Sequence, residues 1–201
     1  MIVDKSPQGS PGWLAARVGI PTASNFDKIV TTKGEPSKQA IKYMFQLAAE
    51  RITGKKEETY QNAAMTRGIE MESEARAMYE LVTGDTVEQV GVCYPDKKKL
   101  WGCSPDGLIG DEGALEVKCP TSAVHVGYLI EGVLPIDYFQ QVQGQLLVTA
   151  RHHVDFMSYY PGLKPLIIRV APDDKFIASL KKELINFCKE LDRITDKIKE
   201  I

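Results

Sequence analysis

The residues best suited to chemistry lie between Ser104 and Lys118: Ser104-Pro105-Asp106-Gly107, then Glu116-Val117-Lys118. In a strand, successive side chains alternate between faces, so Glu116 and Lys118 share one face and Val117 takes the other. Asp106 stands ten residues before Glu116, a spacing that suits a hairpin returning beside its start. Three charged side chains then meet on one side of a sheet, with Leu115, Val117 and Cys119 turned to the core. Two carboxylates so placed repel, and one is pushed to hold a proton unless a divalent cation lies between them. Hard oxygen ligands with room for water and phosphate suit Mg²⁺. Such a cation activates a water and screens a phosphate, while Lys118 orients the nucleophile. That is the chemistry of hydrolytic phosphoryl transfer. A lone Glu-x-Lys on a surface strand is the plain reading, and Pro105-Asp106, the spacing and the hairpin together outweigh it.

The elements that must position these groups follow from periodicity. Ser24 precedes Asn25-Phe26-Asp27-Lys28-Ile29-Val30 and is expected to cap a short helix. A helix over 37–52 carries Ile41, Met44, Phe45, Leu47 and Ala48 at helical spacing and stops at Gly54. Another is expected over 62–82. Short strands follow near 87–94, at 100–104 and at 115–119, then helices over 123–131 and 136–149. The first of these two fits a strand as well. Strands at 153–160 and 166–170 flank Pro161-Gly162. The last helix shows an unbroken apolar stripe, Phe176, Leu180, Leu184, Phe187, Leu191, Ile194 and Ile198, of the kind that covers a sheet. The order indicates an α/β fold with a mixed central β-sheet flanked by α-helices. A single domain spanning 1–201 is expected.

Composition narrows the classes. The chain is 43% hydrophobic and 26% charged, with 16 Gly and 11 Pro, which excludes collagen-like, low-complexity and fully disordered chains. No apolar run approaches the roughly 20 residues of a membrane span. The start, Met1 to Pro7, lacks the basic-then-apolar pattern of a signal peptide, so a cytoplasmic location is expected. The net charge of −2 excludes a grip on nucleic acid by bulk charge alone, while leaving room for a local basic channel. Cys93, Cys103, Cys119 and Cys188 form no Cys-x-x-Cys pair and read as reduced, mostly buried thiols. His125, His152 and His153 form no recognisable ligand set.

The Pro105-Asp106 and Glu116-x-Lys118 pattern resembles that of the restriction-endonuclease-like nucleases. More narrowly, the chain resembles the phage lambda exonuclease group, the YqaJ-like viral recombinases. The landmarks run through Trp13 to Gly19, Thr22-Ala23-Ser24, Gly68 to Arg76, Cys103 to Leu108, Leu115 to Pro120 and Gln141-Val142-Gln143. The resemblance implies a restriction-endonuclease-like core in which Asp106, Glu116 and the Val117 carbonyl ligate magnesium. It further implies two ions per site, with manganese as a substitute. Lys118 then positions the attacking water, Glu72 reaches the metal site from a helix, and Gln141 orients water or substrate. Arg17, Ser24 and Ser104, with Thr22 as a weaker member, match a pocket for a DNA 5′-phosphate. Arginine pairs bidentately with phosphate oxygens, hydroxyls donate to the rest, and a helix start offers free N–H groups. Met65 matches an apolar residue that helps split the duplex, and also reads as a plain helix core residue. Outside the resemblance, Glu72 reads as an exposed helix acid, Ser24 as a cap and Arg17 as a surface charge.

The resemblance thus implies a Mg²⁺-dependent 5′-to-3′ exonuclease on double-stranded DNA ends. Such an enzyme leaves 3′ single-stranded tails for a single-strand annealing protein in recombination. A homotrimeric ring, no membrane and a phage or prophage origin in a bacterial host cell complete the expectation. Enclosure would replace much of the bulk electrostatic grip that the net charge withholds. Two alternatives stand beside it. One is a dimeric endonuclease with the same core, which needs no end-phosphate pocket. The other is a nonenzymatic DNA-end-binding scaffold, which needs no intact Asp106, Glu116 and Lys118.

Overall fold

The computed structural model describes residues 1–56 and 63–201, with the backbone alone described for 63–66 and 69. Five strands form one sheet: β2 (Val87–Glu88), β4 (Gly107–Ile109), β5 (Gly113–Lys118), β6 (His153–Ser158) and β7 (Leu166–Val170), adjacent in that order. The β5–β6 pair is parallel and every other pairing antiparallel. Two short strands, β1 (Ile2–Val3) and β3 (Cys93–Tyr94), pair apart from it. The helices are α1 (Pro11–Ala15), α2 (Ala40–Thr53), α3 (Ala63–Thr83), α4 (Ser122–Glu131), α5 (Phe139–Thr149) and α6 (Asp174–Lys199), with a 3₁₀ segment at Ala23–Lys28.

The central strand β5 is nearly all buried, as a strand covered on both faces must be. Its alternation sorts the two sides of the core. Leu115 and Val117 pack with Ala75 and Tyr79 of α3 and with Met157 of β6. Ala114 lies in the larger cluster, with Val142 and Leu146 of α5, Leu47 of α2 and Leu180 and Leu184 of α6. Helix α6 forms over the expected stripe, and Asp173 caps it by accepting from the Phe176 N–H at 2.9 Å. Its five large side chains Phe176, Leu180, Leu184, Phe187 and Leu191 are buried, each contributing about 1.5–3 kcal/mol of transfer free energy. Ile198, at the end of the stripe, is exposed.

Three expectations need correction. Ser24 is not the cap of its helix: Thr22 takes the N-cap position, and Ser24 is the second residue of the 3₁₀ segment. The stretch 100–104 forms no strand. Gly102 and Cys103 make isolated bridges, to Thr22 on one side and Cys93 on the other, because each neighbour runs alongside for only a residue or so. On α2, Ile41 and Phe45 are exposed, and the buried face is Tyr43, Met44, Leu47 and Ala48. The expectation for Met65 lies outside the described side chains.

Close approach places the last element of the site. A Cβ on Gly144 of α5 would lie 2.4 Å from the Phe26 ring. Its absence lets the 3₁₀ segment that carries Ser24 lie directly on the helix that carries Gln141.

Candidate active site

Asp106 enters β4 just before the hairpin. Its N–H donates to the Leu115 carbonyl at 2.9 Å, and the Val117 N–H donates back to its Oδ2 at 2.6 Å. These bonds fix the Asp106 carboxyl against β5. Glu116 and Lys118 then rise from one face of β5, and the Lys118 Nζ lies 2.5 Å from Oε1 of Glu116. Lys118 also sits 5.1 Å from the centre of the Tyr138 ring, a favourable place for a cation.

Glu116 is 2% exposed, so its charge must be matched by donors. Gln141 donates Nε2 to Oε1 at 2.5 Å, and Gln145, one helical turn on, donates Nε2 to Oε2. Asp106 has less support. Burial, then the charges of Glu116 and Glu72, push its carboxyl well above the usual range, and Lys118 and the Val117 N–H only partly oppose this. Burial works against the Lys118 charge too, but Glu116 and Asp106 outweigh it and hold the ammonium above the ordinary lysine range.

A cleft of about 180 Å³ joins these groups to a second set. Arg17, Thr22, Ser24 and Ser104 line it together with Asp106, Glu116, Lys118 and Gln141. The Arg17 guanidinium lies 4.0 Å from the centre of the Trp13 ring. Its Nε is buried with no partner among the described residues. Burial pushes Arg17 below its ordinary value, opposed by Tyr43, Cys103 and Glu50. Trp13 Nε1 donates to Ser104 Oγ at 3.0 Å, and the Thr22 and Ser24 hydroxyls are 3.4 Å apart. A half-buried cation whose Nε has no partner among the described residues, set beside three hydroxyls, is suited to an anion.

The loop that carries Arg17 is held from α2. The Gly19 N–H donates to Glu50 Oε2 at 3.0 Å, and Arg51 Nε donates to the Gly19 carbonyl at 2.7 Å.

Of the sequence candidates, Glu72 does not line this cleft. Arg76, one turn along α3, binds its carboxylate, although its charge still reaches Asp106. Sequence reasoning missed four lining residues as site members: Gln8, Trp13, Ala23 and Gln145. Gln8 Nε2 donates to the carbonyls of Val90 and Pro105, at 2.9 and 2.8 Å, and so braces the approach to Asp106. The i, i+4 relation of Gln145 to Gln141 was the signal available for it.

The donor chemistry fits a hard divalent cation. Asp106 keeps Oδ1 outside the Val117 bond, and a second carboxylate adjoins it without enough positive charge to settle both. Among the described residues no group of three or more His, Cys, Asp or Glu side chains is placed to hold a metal; Asp106 and Glu116 are the two carboxylates that line the cleft.

Comparison with known structures places the fold among the restriction-endonuclease-like nucleases. The alkaline exonuclease LHK-Exo from Laribacter hongkongensis is 35% identical, with a TM-score of 0.86 over 95% of this chain and 97% of that one. Its structure in complex with dAMP matches to the same extent. A phage related exonuclease from Haemophilus somnus 129PT, 14% identical with a TM-score of 0.70 over 89% of this chain and 96% of that one, shares the fold. A comparison with curated protein sequences gives no match. The family model of the YqaJ-like viral recombinase domain matches residues 12–152, and the chain belongs to that family.

Proposed function

We propose that this protein is a Mg²⁺-dependent exonuclease that degrades one strand of double-stranded DNA from its 5′ end. The observation that carries this reading is one cleft holding two different sets of groups: Arg17, Thr22, Ser24 and Ser104 beside Asp106, Glu116 and Lys118. The likeness to an alkaline exonuclease at 35% identity over nearly the whole chain supports the nuclease class. Residues 1–201 act as a single nuclease domain.

Asp106, Glu116 and the Val117 carbonyl would hold the cation, with Glu72 joining from α3 if Arg76 releases it. When bound, magnesium, as two ions and replaceable by manganese, would supply charge screening at the phosphate and a more acidic water. Arg17 binds the terminal 5′-phosphate in bidentate fashion, and Thr22, Ser24 and Ser104 supply neutral hydrogen bonds to the remaining oxygens. With the end fixed, the next phosphodiester lies against Asp106 and Glu116, and positioning lowers the barrier of the chemical step. Lys118 aligns the attacking water and offsets charge that develops on the phosphate. Gln141 holds Glu116 and presents its amide to the water or substrate.

Product with a 3′ single-stranded tail suits a single-strand annealing protein as partner. A homotrimeric ring around DNA accords with a net charge of −2, because enclosure substitutes for a strong phosphate grip. Among the described residues no helix is long and apolar enough to cross a membrane, and a host-cell cytoplasm suits the substrate.

The test is a time course on linear duplex carrying one labelled 5′ end, with and without Mg²⁺, beside a closed circle. Mononucleotides released from the 5′ end only with Mg²⁺, and an intact circle, are expected. Internal cuts in the circle would point to an endonuclease, and end binding without release to a scaffold.

A further inference from the structure

Helix α5 presents four glutamines, and their partners separate them by role. Gln140 donates to the Val30 carbonyl, and Gln143 donates to the Ala171 carbonyl and accepts from the Asp173 N–H. Those two tie the helix to its surroundings. Gln141 and Gln145, one turn apart, instead meet the same carboxylate, one on each oxygen of Glu116. A carboxylate gripped at both oxygens loses its freedom to rotate. Lys118 alone, on Oε1, would leave Oε2 free to turn.

Gln145 differs from Gln141 in one further respect. It is 1% exposed and lines the cleft, and its Oε1 has no partner among the described residues. A buried amide oxygen without a donor is costly, and it is retained here next to the acid that most needs a fixed orientation. The hydrated cation would bring donors to that oxygen in the form of water.

We propose that Gln145 is a positioning residue: it sets the rotamer of Glu116 for cation binding, and its free Oε1 accepts from water that accompanies the ion. This inference rests on the reading of Asp106 and Glu116 as a cation site. Groups that orient a metal ligand through a hydrogen bond change metal affinity about 10–100-fold when removed. A role confined to packing would change melting and leave that affinity alone.

The test is direct Mn²⁺ binding, by calorimetry and by the loss of the free-ion electron paramagnetic resonance signal. It compares the wild type, Gln145→Met and Gln145→Asn. Met keeps the volume and removes both polar atoms. Asn keeps an amide that is one methylene too short to reach Glu116. Circular dichroism and the thermal midpoint without metal identify folded variants, and either folded variant suffices. Mn²⁺ binding weaker by about fivefold or more supports the proposal, and a smaller change overturns it. The wild type serves as the control for the underlying reading: if it binds no Mn²⁺ while folded, the cation site itself falls and the inference falls with it. Wild-type binding with unaltered variants overturns the role of Gln145 alone.

Discussion

The Val117 N–H donates to Oδ2 of Asp106 at 2.6 Å. One peptide group of β5 thereby holds the acid that arrives from the other limb of the hairpin, while the side chains on either side of it, Glu116 and Lys118, face the same cleft. The carboxylates are brought together by main-chain bonding, and on the proposed reading a cation would relieve their mutual repulsion.

That relief is measurable without a substrate. A ligand that binds only the folded state raises the melting midpoint. Mg²⁺ in the millimolar range is expected to raise the midpoint of the wild type and to leave Asp106→Asn unmoved. Without metal the Asn variant is expected to melt no lower than the wild type, since it removes one of two repelling charges. Equal Mg²⁺ shifts in both proteins would contradict the assignment of Asp106.

Asp106→Ala and Glu116→Ala are each expected to abolish Mg²⁺-dependent release of nucleotides. Lys118→Ala is expected to lower the rate by at least the order of 10²–10³, the scale for a preorganised stabiliser, and still to bind DNA. The checks are initial rates on labelled linear duplex and a gel-shift titration. Normal digestion by the Lys118 variant would remove that residue from the chemistry.

Gly19 has φ of +68°, and a Cβ there would lie 2.3 Å from Cγ of Arg51. Gly19→Ala is expected to cost about 1–2 kcal/mol from the backbone conformation alone, and more from displacing Arg51. The loop between Arg17 and Thr22 should slacken with it. Urea unfolding reads the first effect, and the ratio of rates on 5′-phosphate and 5′-hydroxyl ends reads the second. Unchanged values for both would show that the Gly19 grip does not position the pocket.

Asp155 of β6 is buried and accepts two bonds from Arg169 at 2.8 Å and one from the Tyr79 hydroxyl at 2.6 Å. Burial raises its pKa, but the bonds from Arg169 and Tyr79 outweigh it, and the carboxyl is held below its ordinary value. A carboxyl lowered by folding stabilises the protein above its unfolded pKa of about 3.9 and loses that contribution as pH falls through the folded value. Asp155→Asn is therefore expected to cost about 2 kcal/mol at pH 7. The gap between the two proteins should narrow below about pH 4. Urea titrations at pH 7 and pH 3 check this, and a gap that widens in acid would contradict it.

Strand alternation made Glu116 and Lys118 legible in the sequence, because period-two order needs no tertiary information. The stripe on α6 was legible for the same reason at helical period. Gln145 was only weakly marked, by its i, i+4 relation to Gln141, since four glutamines within six residues look alike until the sheet face opposite them is known. Ile41 and Phe45 fit the helical spacing of α2 yet face outward, because Tyr43 shares the buried face with Met44 and Leu47. The residue type of Ser24 suits a cap, but the segment begins one bridge earlier, where Ala23 donates its N–H to the Gly102 carbonyl. The environment of Arg17 was not legible either, because Trp13 and Ser104, which border it, are 91 residues apart.

The most direct test compares initial rates on linear duplex ending in a 5′-phosphate and on the same duplex ending in a 5′-hydroxyl. The wild type is compared with Arg17→Ala. The wild type is expected to digest the phosphorylated end faster, because the held end fixes the register of the next phosphodiester over Asp106, Glu116 and Lys118. Arg17→Ala is expected to lose most of that preference while keeping Mg²⁺-dependent activity, and single Ser24→Ala or Ser104→Ala variants to lose less, each having removed a neutral donor. Equal wild-type rates on the two ends would contradict the end-phosphate pocket, and with it the case for an exonuclease over an endonuclease.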